Sequence, residues 1–356
     1  MKRVIMTMLV LVALASLTVS CQAKRIINQN GYIQTITIDK TDDPNQYFFG
    51  IMYAEPLAEG KAKSTYQGYM AHDFTEAYNH FTLQSRFALV VGHVRNIIIS
   101  REIAESDVIK VISNLLFQPK FPLTSRILVY EGQAKDFLQQ KEDLTDFHLY
   151  LLLEKLQKIN DYSLSTVFNF VRDQQQLGIE PITSIVKLKN DAVIGGMSLF
   201  RGGKMIGIVP EKEVNYMLLL RNHSIKGAFY INENQLPGNE PIILDNAKSR
   251  RSIEVVHTAP VPKIIIRLHI TSTLTTPMSE TTPEDKISEA LIQETLQRKF
   301  NQFVQSVQEK EADVIGVGMH VRNKMRYSEW NEAKWPKLFK NADIKCIVRY
   351  YKENEI

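Results

Sequence analysis

The stretch AVIGGMSLFRGGKMIGIVPEKEVNYMLLL, residues 192–220, decides the fold class. Its two apolar runs flank Gly202-Gly203. A two-glycine loop supplies the positive φ angles of a primed turn, so the runs read as a β-hairpin. Pro210 follows where a helix can begin, because its fixed φ suits the first turn and its missing N–H is not needed there. Residues 211–220 read as that helix. Strand, strand, helix is not the regular strand–helix–strand alternation of a doubly wound domain.

Working outward toward the N-terminus, residues 184–189 form another strand, and Gly178 and Pro181 close a helical segment at 163–176. A further helix is expected at 145–159, a short one from Gln133, and a strand at 126–131. Ser106 is placed to cap a helix whose apolar positions Val108, Ile109, Ile112, Leu115 and Leu116 recur at helical spacing. Residues 96–100 read as a short buried strand and 73–84 as a helix. Residues 32–39 alternate as a strand, Asp42-Asp43-Pro44-Asn45 marks a turn, and 47–53 return as the second strand of a hairpin.

Toward the C-terminus, residues 235–239 read as a loop, and 252–257 and 263–270 as strands, with Ile264, Ile266, Leu268 and Ile270 on one face. The polar, threonine-rich 271–282 reads as a loop. Thr282, Pro283, Glu284 and Asp285 are a cap, a first-turn proline and first-turn acids, so a helix is expected from there to about Glu309. A strand at 313–322, a Trp330/Trp335 segment and a strand at 344–350 finish the chain. The expectation is α+β, in multiple domains with mixed sheets and packed helices, neither Rossmann nor barrel.

The chain has 356 residues, 44% hydrophobic and 23% charged, enough for two or three domains with ordinary cores. Its net charge of +4 includes Lys2 and Arg3. Beyond them no basic stripe is visible, so nucleic acid is not an expected partner. Lys24 and Arg25 read as solvated linker charges.

Lys2-Arg3 precede an apolar run from Val4 to Leu17 and then Thr18-Val19-Ser20-Cys21. That run suits a signal peptide and is too short to span a bilayer core of about 30 Å as a helix. A small residue before a cysteine is the bacterial lipobox pattern, with Thr18 where leucine is usual and Leu17 one place back. Residues 1–20 are therefore read as a lipoprotein signal peptide and Cys21 as the lipid attachment site. Two or three acyl chains there would give a stable anchor. The other cysteine, Cys346, lies in a strand-like stretch and reads as a buried small residue.

No phosphate loop, H-E-x-x-H or C-x-x-C spacing occurs, and Ser198 lacks the second glycine of a nucleophile elbow. His72 and His80 do not have the i, i+4 relation of a zinc pair. Gly316 and Gly318 read as strand glycines where another backbone packs closely, and Trp330 and Trp335 as core. No catalytic, cofactor or metal site is assigned, and no enzyme activity is expected.

Four stretches in this order resemble the Ger(x)C, or GerAC-type, lipoproteins, the C subunits of spore nutrient-germinant receptors. They are the leader ending at Cys21, the region 84–138 with its Asn96-to-Ala104 and Leu128-to-Ala134 runs, the hairpin Gly195 to Gly207, and the C-terminal helix, Asp313-to-Gly318 and Trp330/Trp335 series. The resemblance implies three α+β domains. It also implies a covalent diacylglycerol and N-acyl lipid on Cys21 as the only attached group, and outer-leaflet topology at the spore inner membrane. The implied partners are a membrane-embedded A subunit and a permease-like B subunit, with the nutrient site mainly on the latter. Germination-receptor regions are expected at 21–190 and 191–356, the second subdivided near 245. The alternative is a lipid-anchored solute-binding protein of an uptake system, which would have two doubly wound lobes.

Overall fold

A computed structural model describes residues 29–57, 62–139, 151, 154–155, 166–188, 192–231, 242–275 and 288–353. The leader, Cys21, most of the helix expected at 145–159 and the loop at 235–239 lie outside these residues.

Strand β1 (Asn30–Lys40) organises the first sheet. It pairs antiparallel with β2 (Tyr47–Pro56) through the expected turn, and β2 pairs with β3 (Ala62–Ala71), a strand the sequence reading does not contain. On its other side β1 runs parallel to β5 (Asn96–Ser100), followed by β6 (Arg126–Tyr130) and β7 (Ile182–Leu188). The antiparallel strands β8 (Ala192–Arg201) and β9 (Lys204–Pro210) complete it, and the short β4 (Ala88–Val90) adds beside β1. Gly202 and Gly203 turn the β8–β9 hairpin with φ of 55° and 80°. The sheet is mixed, and β8 and β9 belong to it although they follow residue 190.

The parallel strands are apolar almost throughout because both faces are covered. Ile97, Ile99, Ile127 and Val129 face one core with helices α1 (Phe74–Gln84), α2 (Arg101–Ala104), α3 (Val108–Leu116) and α5 (Val167–Gln175). Ile98 and Leu128 face the other. Asp107, not Ser106, caps α3: its carboxylate accepts from the Lys110 N–H at 3.2 Å, while the Ser106 hydroxyl donates to the Ile103 carbonyl. Asp39, at the end of β1, caps α4 (Ala134–Gln139) across the fold by accepting from the N–H groups of Ala134 and Lys135.

The second sheet has the order β10 (Ala228–Ile231), β11 (Ile242–His257), β12 (Lys263–Thr275) and β13 (Asp343–Lys352). The sequence reading contains neither β10 nor the first half of β11. It also ends β12 at residue 270, where alternation continues through a threonine-rich run to Thr275. Helices α6 (Glu211–Leu220), α7 (Glu289–Glu309), α8 (Val317–Lys324) and α9 (Trp335–Asn341) accompany this sheet. Ser288 caps α7, its hydroxyl accepting from the Leu291 N–H, and the helix start read at Thr282 to Asp285 lies outside the described residues. Residues 313–322, read as a strand, instead form a tight loop and α8. Gly316 takes the left-handed conformation at φ 79°, which turns the chain out of extended geometry.

Helix α7 also finishes an edge. Glu289, Gln293, Gln297 and Asn301, spaced by four along it, hydrogen-bond the backbone of β13. Gln293 accepts from Tyr350 N–H, Gln297 accepts from Val348 N–H and donates to the Cys346 carbonyl, and Asn301 bonds both groups of Cys346. Glu289 accepts from Lys352 N–H at 3.4 Å. This polar row replaces the missing neighbour strand, while Ile292, Leu296, Phe300 and Val304 on the same helix enter the core.

One buried core extends from the inner face of the first sheet (Ile98, Leu128, Val186, Met197) through α6 to the second sheet and α7. Among the described residues, no element covers the opposite face of the second sheet. That face gathers cations that are dispersed along the chain and that the sequence reading does not group into a stripe.

Candidate functional site at the joint between the sheets

The densest polar arrangement lies where the segment after α5 meets the loop before α8. Asp313 is 1% exposed, and its carboxylate accepts from the backbone N–H groups of Gly316, Val317 and Gly318 at 2.8, 3.1 and 2.6 Å and from Trp335 Nε1 at 3.1 Å. Burial pushes its pKa up to about 6, against the pull of these donors. The three N–H groups are free donors at the start of α8, so the carboxylate serves as an N-terminal cap set three residues upstream.

Gly178 and Gly318 are in backbone contact: a Cβ on Gly178 would lie 2.4 Å from the Gly318 carbonyl carbon, and one on Gly318 would strike Trp335. The Met319 N–H donates to the Gly178 carbonyl at 3.1 Å. Glu180 and Asp313 join by two bonds, Glu180 N–H to the Asp313 carbonyl at 3.0 Å and Asp313 N–H to the Glu180 carboxylate at 2.9 Å. Burial, then the neighbouring Asp313 charge, pushes the Glu180 carboxyl up to about 8.

Two arginines tie the same region to α6. Arg251 donates to the carbonyls of Leu220 and Ile315 at 2.6 and 2.8 Å. Arg221 on the C-terminal end of α6 meets the buried Asp173 of α5 at 2.6 Å, and Arg172 meets the same carboxylate. The buried carboxylates of Asp313 and Asp173 are therefore matched by donors or opposite charges, as burial requires, while Arg221 Nη1 has no hydrogen-bond partner among the described residues.

The arrangement can hold segments together and can take up a proton at Glu180. It does not present a nucleophile beside a base. Ser198 is buried in β8, its hydroxyl within 2.7 Å of Thr183 Oγ. His72 pairs with Glu76 on the surface, and His80 stacks on Tyr69 at 3.6 Å. Among the described residues no three His, Cys, Asp or Glu side chains cluster to hold a metal. Cys346 is buried, and burial pushes its thiol up to about 12, far from thiolate reactivity. Trp335 is core, and Trp330 packs on it with ring centroids 5.2 Å apart. The close backbone approach read at Gly318 holds, but in a helix rather than a strand. Asp313, Glu180 and Gly178 escaped the sequence reading as a group. An Asp three residues before Gly-Val-Gly was the one available signal, and its partners are 133 and more positions away.

The family model described as "Spore germination protein N-terminal domain" matches residues 23–188, and that described as "Spore germination B3/ GerAC like, C-terminal" matches residues 195–351. YfkR of Bacillus subtilis (strain 168), a protein named for spore germination, is 22% identical over 286 residues, covering 76% of this chain and 74% of YfkR. The crystal structure of the GerBC protein is similar with a TM-score of 0.55 and 15% identity, over 90% of this chain and 97% of that one. The joint described above thus links the two matched regions, and the chain belongs to the GerAC-like family of spore germination proteins, the C subunits of germinant receptors.

Proposed function

We propose that this chain is a lipid-anchored, non-catalytic subunit of a spore germinant receptor, held at the spore inner membrane through Cys21. It acts there by assembling with the membrane-embedded A and permease-like B subunits. The observation that carries the reading is the pair of family matches spanning residues 23–351 in chain order. The leader Lys2 to Cys21 supports the anchor, since a lipid on a chain confines it to a surface and raises its effective concentration for membrane partners. No helix among the described residues is long and apolar enough to cross a membrane. The joint supports a role in transmission: a body whose two sheets share one core would pass a displacement from one matched region to the other. The solute-binding alternative receives no support from the relatives.

Co-purification from detergent-solubilised spore membranes tests this reading. Wild type is expected to bring down two membrane proteins, one of them permease-like, while Cys21→Ala is lost from membranes washed at high salt. A wild-type chain that purifies alone, or whose Cys21 carries no acyl group, would overturn it.

A further inference from the structure

The second sheet buries one face under α7, and no described element covers the other. Alternation puts Ile264, Ile266, Leu268 and Ile270 inside, so their neighbours face out. Register then decides which outward side chains meet. Arg250 of β11 lies opposite His269 of β12, which lies opposite Arg349 of β13, making a row across three strands. Lys345 stands beside Ile265 on the same face. Two nearby cations are already matched: Arg267 by Glu254 at 2.6 Å and Lys248 by Glu353 at 3.3 Å. Arg250, Arg349 and Lys345 have no carboxylate partner among the described residues.

Beside Arg250 and His269 the face is indented. A shallow groove of about 460 Å³ is lined by Lys248, Ser249, Arg250, His269, Thr271 and Tyr351. The Ser249 hydroxyl donates to the Leu219 carbonyl at 2.8 Å, so the Arg250 guanidinium is the groove's cation without a carboxylate partner among the described residues. One anion already uses the rim: the Glu353 carboxylate is hydrogen-bonded by Thr271 and Lys248, which holds it below its ordinary pKa. Tyr351, Ile265 and Ile347 interleave apolar and amphipathic surface with the charge. That mixture suits a bilayer interface, where headgroup phosphates meet cations and amphipathic rings sit at the same depth.

We propose that this open face docks on a surface of anionic phospholipid headgroups, with Arg250 and Arg349 as its principal contacts. The lipid surface is favoured over an acidic protein strand because the cations form a transverse row on an open face, not a line along a free edge. The adjacent β13 edge is already closed by the side chains of α7. The proposal takes its membrane from the anchoring read at Cys21, but the docking itself is independent of the lipid. A second, protein-borne contact would fix the orientation of a body that an acyl anchor alone leaves free to tumble.

The test is flotation of the chain produced from Gln22 onward, which lacks Cys21 but keeps every described element. Vesicles of about 30% phosphatidylglycerol in phosphatidylcholine are compared with pure phosphatidylcholine, at low and about 0.5 M salt. Wild type is expected to float only with the anionic vesicles and to be released by salt. Each cation near an anionic surface is worth about fivefold, so Arg250→Glu/Arg349→Glu should lower binding more than about twentyfold. A control with the same charge change elsewhere, Lys212→Glu/Lys226→Glu, should retain most of it, and matching thermal melts would show that all three chains are folded. Absence of flotation, equal flotation with neutral vesicles, or full binding by the double arginine variant would overturn the proposal. So would capture on polyglutamate through the same two arginines without vesicle binding, which would assign the face to an acidic protein. Failure of the anchoring reading would show separately, as an unacylated Cys21 in wild-type spores.

Discussion

Asp313 accepts four hydrogen bonds in a site from which water is excluded, and each donor would be left unpaired by its removal. Asp313→Ala is therefore expected to lower stability by about 3 kcal/mol or more, the cost of stranding several donors of a charged acceptor, measured by urea unfolding. A loss under about 1 kcal/mol would mean that water or a neighbour replaces the carboxylate. Beside it, Glu180 gives the joint a pH dependence. Its folded pKa, about 8, lies above its ordinary value of 4.5, so the folded protein binds the extra proton between those limits. Stability from this group is complete below pH 4.5 and is lost as pH rises toward 8 and beyond. Wild-type melting temperature should fall from pH 5.5 to 8.5, and the fall should be smaller in Glu180→Gln. An equal slope in the variant would place the titration elsewhere.

The α7 row shows how one helix carries two patterns. Leu296, Phe300, Phe303 and Val307 recur at helical spacing in the sequence and all four are buried, whereas Leu291, which the same spacing would place inside, is half-buried and Ile292 takes the core position. The polar row at every fourth residue reads as an ordinary solvated face until the β13 backbone is seen beside it. Gln297→Leu keeps the helix and its length but leaves the Val348 N–H and one bond to the Cys346 carbonyl unmade. A cost of about 1–3 kcal/mol in chemical denaturation is expected, with secondary structure by circular dichroism unchanged. Gln305→Leu, on an exposed stretch of the same helix, should be nearly neutral, and equal costs would contradict the edge-closing role. The strand misread at 313–322 has the same origin. A short buried apolar run, Val314, Ile315 and Val317, carries no period that tells strand from helix, and the choice was made by Asp313 gathering three N–H groups.

Across the whole molecule, a single buried core joins the inner face of the first sheet to the second sheet through α6. Heating is expected to produce one cooperative transition by calorimetry, with coincident fluorescence and circular dichroism changes. Two separated transitions would show that the regions matched by the two family models fold as independent units. Local signals alone determined much of this protein. Alternation, Gly202-Gly203, Pro210 and the apolar face of α7 specified strands, a hairpin and helices. The absence of regular strand–helix alternation at 192–220 gave the α+β class, and the order of motifs pointed to the family. These readings succeed because turn chemistry and periodicity act over a few neighbouring residues. Only the tertiary structure decided what depends on pairing between distant segments: the parallel run β1, β5, β6, β7, the joint of Gly178, Glu180 and Asp313, and the row Arg250, His269, Arg349. In the chain these last three are separated by 19 and 80 positions, and strand register brings them side by side. A charge pattern that sequence spacing disperses becomes a surface because hydrogen-bonded strands align residues by register, whatever their distance along the chain.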